Sequence, residues 1–150
     1  MPNRTTHVVI AAMFSGAVSN RYSTQIPDLQ GRIVYQSAFV MGGIIGGILP
    51  DRLDPPTNPR HRGIAHSFLT GILTVSFGIS WLKWFDPHLK ATAIKFREEW
   101  EHSQHQNIAA FLQYICVLFV SGITAGVMAG YLSHLALDAN TPAGLPLISA

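Results

Sequence analysis

The chain reads as all-α: an integral membrane bundle of about four transmembrane helices with a short interfacial helix. Two observations predict this. The 150 residues are 48% apolar and only 12% charged, with a positive mean hydropathy, a poor balance for a water-soluble domain of this length. The few charges also avoid four long runs, three of which approach the ~20 residues a bilayer crossing requires. The length suits a single membrane-embedded domain over residues 1–150.

The first run, residues 6–20, is the shortest and calls for tilt or a thinned bilayer. The second, 33–50, has no charge and ends at Leu49-Pro50, because a residue before proline is biased away from the helical region. The third, 64–82, holds only His66, at its start, and the fourth, 108–137, holds only His134, near its end. Cys116 lies inside the fourth run with no partner cysteine and reads as a small apolar packing residue. No n-region, h-region and cleavage site precede the first run, so no cleavable signal peptide is expected. Gly42-Gly43-Ile44-Ile45-Gly46-Gly47 contains two overlapping Gly-x-x-x-Gly spacings, and Gly122, Gly126 and Gly130 repeat them. Such spacing lets helix backbones approach closely in lipid.

Between the third and fourth runs, residues 86–107 mix Lys90, Lys95 and Arg97 with Glu98, Glu99 and Glu101 around Leu89, Ile94 and Trp100, the pattern of a short interfacial helix. His88, His102 and His105 fall here and read as solvated residues. If four spans alternate in direction, His7, Asp51, Asp54, His66, His134 and Asp138 all emerge on one face, although nothing in the choice of spans required it. The motif face carries Arg4, Arg52, Arg60 and Arg62, against Arg21, Arg32, Lys83, Lys90, Lys95 and Arg97 on the other. By the positive-inside rule this turns the site outward.

Imidazoles and carboxylates at the ends of apolar helices are costly to hold out of water unless paired or metal-bound, so they mark a candidate site. In Ser133-His134-Leu135-Ala136-Leu137-Asp138, one helical turn separates His134 from Asp138, on one face. A single ion can bridge that pair, and a helix-end ion pair has the same spacing. Asp51 and Asp54 stand three apart before Pro55-Pro56; they suit a cation, and equally a pairing with Arg52, Arg60 or Arg62. In His61-Arg62-Gly63, the guanidinium of Arg62 offers a planar fork for a phosphate or carboxylate, with Arg60 the weaker candidate; both also serve as positive flanks of a span. Asn140 and Thr141 stand ready to hydrogen-bond the ligands or simply to end the helix. The formal charge of +2 and the scattered Lys and Arg exclude a nucleic-acid surface.

With these pieces together, Thr6-His7, Leu49-Pro50-Asp51 with Asp54-Pro55, His61-Arg62-Gly63 with His66-Ser67, Gly130-Tyr131-Leu132-Ser133-His134 through Asp138, Thr141-Pro142-Ala143-Gly144 and Pro146-Leu147, the chain resembles the YdjM-like, LexA-regulated inner-membrane proteins described as membrane-bound metal-dependent hydrolases. The resemblance spans residues 6–147. It implies a multi-pass protein of the bacterial inner membrane with His7, Asp51, Asp54, His66, His134 and Asp138 in a metal site. The chain departs from that pattern in Ala65, where Thr is usual before His66, and in ending soon after Leu147, where relatives are expected to continue. A looser similarity, in ligand order alone, to zinc-dependent phospholipase C and the nucleases built like it points to phosphoester chemistry.

The sequence therefore leads to a hydrolase that uses one or two divalent ions, zinc first, with manganese or iron open. Its substrate is expected to be a phosphate ester or another amphiphilic, lipid-linked molecule met at the bilayer. Asp51 or Asp54 is the expected general base and Arg62 the group that stabilises developing negative charge, with His61 and Arg62 binding substrate. The competing expectation is a non-enzymatic membrane protein that binds or moves a divalent cation with the same ligands. A scaffold whose helix ends form only ion pairs is the third.

Overall fold

The computed structural model describes residues 4–54, 64–140 and 145, and everything structural below concerns these. Helix α1 (Arg4–Ser23) turns one stripe inward, His7, Ala11, Ser15, Ser19 and Ser23 at a four-residue repeat. Two of its serine hydroxyls bond back to their own helix, Ser19 to the Gly16 carbonyl at 2.8 Å and Ser23 to that of Asn20 at 3.0 Å. Those two hydroxyls thus need no water, while Val9, Met13 and Phe14 face outward. Asp28 caps helix α2 (Leu29–Leu53) by accepting the Gly31 N–H at 2.7 Å. The same carboxylate binds Arg97 at 2.7 Å and accepts the Tyr114 hydroxyl, tying three helices together at that end. Burial alone would raise the Asp28 pKa, but the Tyr114 and Gly31 hydrogen bonds and the Arg97 charge hold it below the usual carboxylate range.

The second run does not stop at Leu49-Pro50. Helix α2 continues through Pro50 to Leu53, because a proline in the last turn sacrifices a single N–H and the Asp54 N–H closes the end on the Pro50 carbonyl at 2.9 Å. Asp51 therefore stands on the helix, with Asp54 at its cap.

The two overlapping glycine spacings serve two different neighbours. Gly43 and Gly47 face α1, where a methyl on either would collide with Ser15 or Ala11. Gly42 and Gly46 face helix α5 (Ile108–Ala139), where a methyl would fall onto the carbonyls of Ile123 and Val127. From the other side, Gly122, Gly126 and Gly130 lie against the carbonyls of Tyr35, Phe39 and Gly43. The helices α2 and α5 run parallel, backbone on backbone, in one register over three turns.

His66 ends a single 3-10 turn (Ile64–His66), and Ser67 then caps helix α3 (Phe68–Ser80), its hydroxyl accepting the Thr70 N–H at 3.2 Å. A π-helical turn (Trp81–Phe85) passes without a break into helix α4 (Asp86–His102). The segment expected to form a separate interfacial helix is thus the continuation of the third span, and it packs along α5. Asp86, Lys90 and Ala93 are buried there. The reason is a closed set of partners: Lys90 binds Asp86 at 2.6 Å and the Tyr22 carbonyl at 2.7 Å, and Asp86 accepts hydroxyls from Tyr35 at 3.0 Å and Ser121 at 2.5 Å. With each charge satisfied, burial becomes tolerable.

The fold is all-helical, with three helices long and apolar enough to cross a membrane: Leu29–Leu53, Phe68–His102 and Ile108–Ala139. Helix α1 is not among them, since its serine stripe lowers its hydropathy.

The glycine contacts make a prediction with a sign. Gly126→Ala and Gly130→Ala force a methyl into a carbonyl of α2 and should destabilise the protein in mild detergent by about 1–3 kcal/mol, the usual cost of overpacking. Gly16→Ala meets only the Val40 side chain, at 3.8 Å, and should be neutral or stabilising by up to ~1 kcal/mol, the helix-propensity gain over glycine. Thermal unfolding of the three variants tests the ordering.

Candidate metal centre

Four elements bring their ends together on one side of the bundle. The first turn of α1 supplies His7, the end of α2 supplies Asp51 and Asp54, the 3-10 turn supplies His66, and the last turns of α5 supply His134 and Asp138. His134 continues the register of the α2–α5 contact. One turn beyond Gly130, its Nδ1–H donates to the Gly47 carbonyl at 2.7 Å, which leaves Nε2 as a lone pair pointing away. His66 is held by its neighbour Ala65, whose carbonyl accepts the Tyr131 hydroxyl at 2.6 Å.

Four atoms then converge. The two Nε2 atoms of His66 and His134 are 3.3 Å apart. Asp51 Oδ1 lies 3.4 Å from His66 Nε2 and 3.5 Å from His134 Nε2, and Asp138 Oδ2 lies 3.5 Å and 3.4 Å from the same two atoms. Zinc binds His and carboxylate ligands at about 2.0–2.2 Å, so the edges of its ligand tetrahedron are ~3.3–3.6 Å long. The five separations are of that length, and the donors that all lie close to one another form two groups of three, Asp51, His66 and His134 in one and His7, His134 and Asp138 in the other. The donor set also fits a borderline cation, because carboxylate oxygens and the acceptor nitrogen of a neutral imidazole both ligate such ions.

His7 and Asp54 flank this quartet. Asp138 turns its other oxygen, Oδ1, to His7 Nε2 at 3.8 Å, while the His7 ring stacks on His134 at 3.9 Å. Together His7, His134 and Asp138 make a second three-donor group beside Asp51, His66 and His134, and His7 Nδ1 is buried with no hydrogen-bond partner among the described residues. Asp54 Oδ2 faces Nδ1 of His66 at 3.7 Å, on the far side of that ring from the quartet, where it orients the imidazole rather than joining the other donors. His66, His134, His7 and Asp138 are almost fully buried, whereas the Asp51 and Asp54 side chains keep about a quarter of their surface in the open. Burial depresses the His66 pKa, and the charges of Asp138 and Asp51 only partly oppose it.

Not every expected residue takes part. Asn140 is exposed, and its amide donates to the Ala136 carbonyl at 2.7 Å, finishing its own helix instead of supporting a ligand. His61, Arg62 and Thr141 lie outside the described residues. His88, His102 and His105 are exposed on α4 and the turn after it. The support the sequence reading missed is the Gly47 carbonyl. A backbone acceptor has no residue-type signature, and the pairing of glycine spacings was its one trace.

The family model for the YdjM inner membrane protein matches residues 1–149. The chain belongs to this family. Comparison with curated proteins and with solved structures finds no match. Membership in the YdjM family and the three apolar helices make it a multi-pass protein of the inner membrane, embedded in the lipid bilayer.

The geometry predicts which residues of this YdjM-family protein govern metal content. Purified in mild detergent, the wild type should carry one to two equivalents of a transition metal by mass spectrometry, in line with the one or two ions expected from the donor set. His134→Ala and Asp138→Ala should lose most of it, and His88→Ala and His102→Ala should lose none. Equal, negligible metal in all five proteins would reject the centre.

Proposed function

We propose that this protein is a membrane-bound metal-dependent hydrolase acting on a phosphate ester or similar amphiphilic substrate. The observation that carries the reading is the near-equal approach of one oxygen of Asp51 and one of Asp138 to the paired Nε2 atoms of His66 and His134. His66, His134 and Asp138, buried and fixed by the packing, are the ligands in this reading, with His7 on the second oxygen of Asp138. A divalent ion held there, zinc before manganese or iron, supplies a bound water of lowered pKa and polarises the scissile group. Asp51 stands at the solvent-facing edge, where a carboxylate can either complete the ligand set or accept a proton from water, and Asp54 holds His66 in orientation from its other nitrogen. Arg62, four residues before His66 in the chain, is assigned the developing negative charge of the phosphoryl group, with His61 beside it.

One observation favours a second reading. Structural zinc sites are closed by four protein ligands, whereas catalytic ones keep a position open, and Asp51 is as near to both imidazoles as Asp138 is. If all four donors bind, the protein holds or moves a divalent cation without chemistry. Asp51→Asn separates the two. On the hydrolase reading it keeps most of the metal and slows turnover by about 10²–10⁴-fold, the contribution of a general base; on the other it loses the metal.

The residues outside the ligand set make a further prediction. Arg62→Ala should retain wild-type metal content, since guanidinium is not a ligand, yet slow cleavage of a phosphate substrate about 100-fold or more. Arg62→Lys should rescue only part of this, because a point charge does not replace a two-pronged fork. Full activity in Arg62→Ala would make that residue a flanking charge only.

We also propose that α1 is a fourth span. It is 20 residues long, about 30 Å, and presents Val9, Met13 and Phe14 outward. Four spans place Thr57 and Ser103 on opposite faces. In a Cys116→Ala background, an impermeant reagent applied to intact cells should label only one of Thr57→Cys and Ser103→Cys; labelling of both from one side rejects the topology.

A further inference from the structure

Helix α3 is held to the bundle more loosely than any other. Gly78 is its one buried residue among those described, and Leu73, Phe77 and Ile79 are more than half exposed. It approaches α5 through two glycines one above the other. A Cβ on Gly71 would lie 3.4 Å from a Leu135 methyl, and one on Gly78 would lie 3.6 Å from the Met128 sulfur. Between and around these points the helices stand apart, leaving a hollow of about 320 Å³ lined by Phe68, Val75, Leu132, Leu135 and Ala139. Past Val75 and Leu132 a second hollow of about 160 Å³ continues to Leu82 and Ala125. The lining of both has no charge, and its single hydroxyl is that of Ser76.

We infer that this seam seats the hydrocarbon chain of a lipid-linked phosphate whose head lies at the His/Asp cluster. The inference rests on the hydrolase reading and names its substrate class. Three features point to this occupant. The seam begins at the level of the site: among its lining residues, Phe68 is two residues from His66, and Leu135 and Ala139 directly follow His134 and Asp138. Its depth is sufficient for one leaflet, since Ala139 to Ala125 spans about 21 Å of helix against roughly 15 Å for half of the hydrocarbon core. Its width excludes a protein helix, which is about 10–12 Å across, because α3 and α5 already meet at both glycines. A single alkyl chain fits where a helix does not, and it reaches from the interior of the bilayer to the metal ligands without leaving apolar surroundings.

The test uses the whole protein in lipid nanodiscs loaded with zinc, and dodecyl phosphate with a diazirine at the chain end as the probe. After photolysis, peptide mapping should find the label on Val75, Leu82, Ala125 or Met128. Val75→Trp, which fills the junction of the two hollows, should lower that labelling about tenfold, the effect of a ~1.4 kcal/mol loss, with metal content unchanged. Ile45→Trp, on the lipid-facing side of α2, should leave it as in the wild type. Equal labelling at Ile45, Phe119 and the seam, or the same pattern from a dodecyl trimethylammonium probe, would identify ordinary boundary lipid and overturn the inference. Phosphate-specific seam labelling in a protein that holds no metal would support the lipid seat and retire the hydrolase reading. Conversely, zinc-loaded protein that hydrolyses dodecyl phosphate equally fast with and without Val75→Trp would keep the hydrolase and overturn the seam.

Discussion

The structure depends on the contact between the backbones of α2 and α5. Lipid offers no hydrophobic gain for bringing two apolar helices together, so close packing has to hold them. Here it is achieved by a ladder with constant offset. The carbonyls of Tyr35, Phe39 and Gly43 meet Gly122, Gly126 and Gly130, and on the next rung the Gly47 carbonyl meets the Nδ1–H of His134. Asp51 and Asp138 occupy the rung after that. The site is thus the end of the packing interface and inherits its precision: the approach that needs glycine along the ladder also sets the tautomer of His134 and the direction of its free nitrogen. Damage to the ladder should therefore reach the donors at its end.

The bundle contains two buried ionisable clusters, and the contrast between them separates structure from chemistry. Around Asp86 and Lys90 acceptors meet donors: the carboxylate accepts from an ammonium, a tyrosine and a serine, and the ammonium donates to a backbone carbonyl as well. At the other end His134 gives its Nδ1–H to Gly47, and its Nε2 meets Nε2 of His66 and the acceptor oxygens of Asp51 and Asp138 at 3.3–3.5 Å. Such an arrangement is repulsive unless a proton or a cation stands among the donors. The first cluster anchors α4 to the core; the second is the one that could hold a cation.

Much of this could be read from the chain because the bilayer simplifies the problem. Charge-free runs mark the helices, and alternating directions are expected to bring His7, Asp51, Asp54, His66, His134 and Asp138 to one side. What escaped the reading was every feature that depends on a partner far along the chain. Asp86 and Lys90 look like interfacial charges until Tyr35 and Ser121, on two other helices, close around them. Asn140 looks like support for a ligand, but its nearest carbonyl belongs to its own helix. Pro50 looks like a stop, yet a last-turn proline costs a single bond and shifts Asp51 onto the helix. The glycine spacings were visible, but not that two sets of them face different neighbours.

Charge balance narrows what the centre can hold under the proposed reading. Asp51 and Asp138 bring two negative charges to a place where Asp138 and both imidazoles are almost wholly buried, and the imidazoles contribute none while neutral. Buried net charge is costly to keep from water. A divalent cation brings the quartet to zero, a monovalent one leaves it at minus one, and Asp54 adds a further negative charge only on the side that still reaches solvent. An incoming phosphate would then bring negative charge to a neutral site, and this is the step at which a nearby guanidinium counts most.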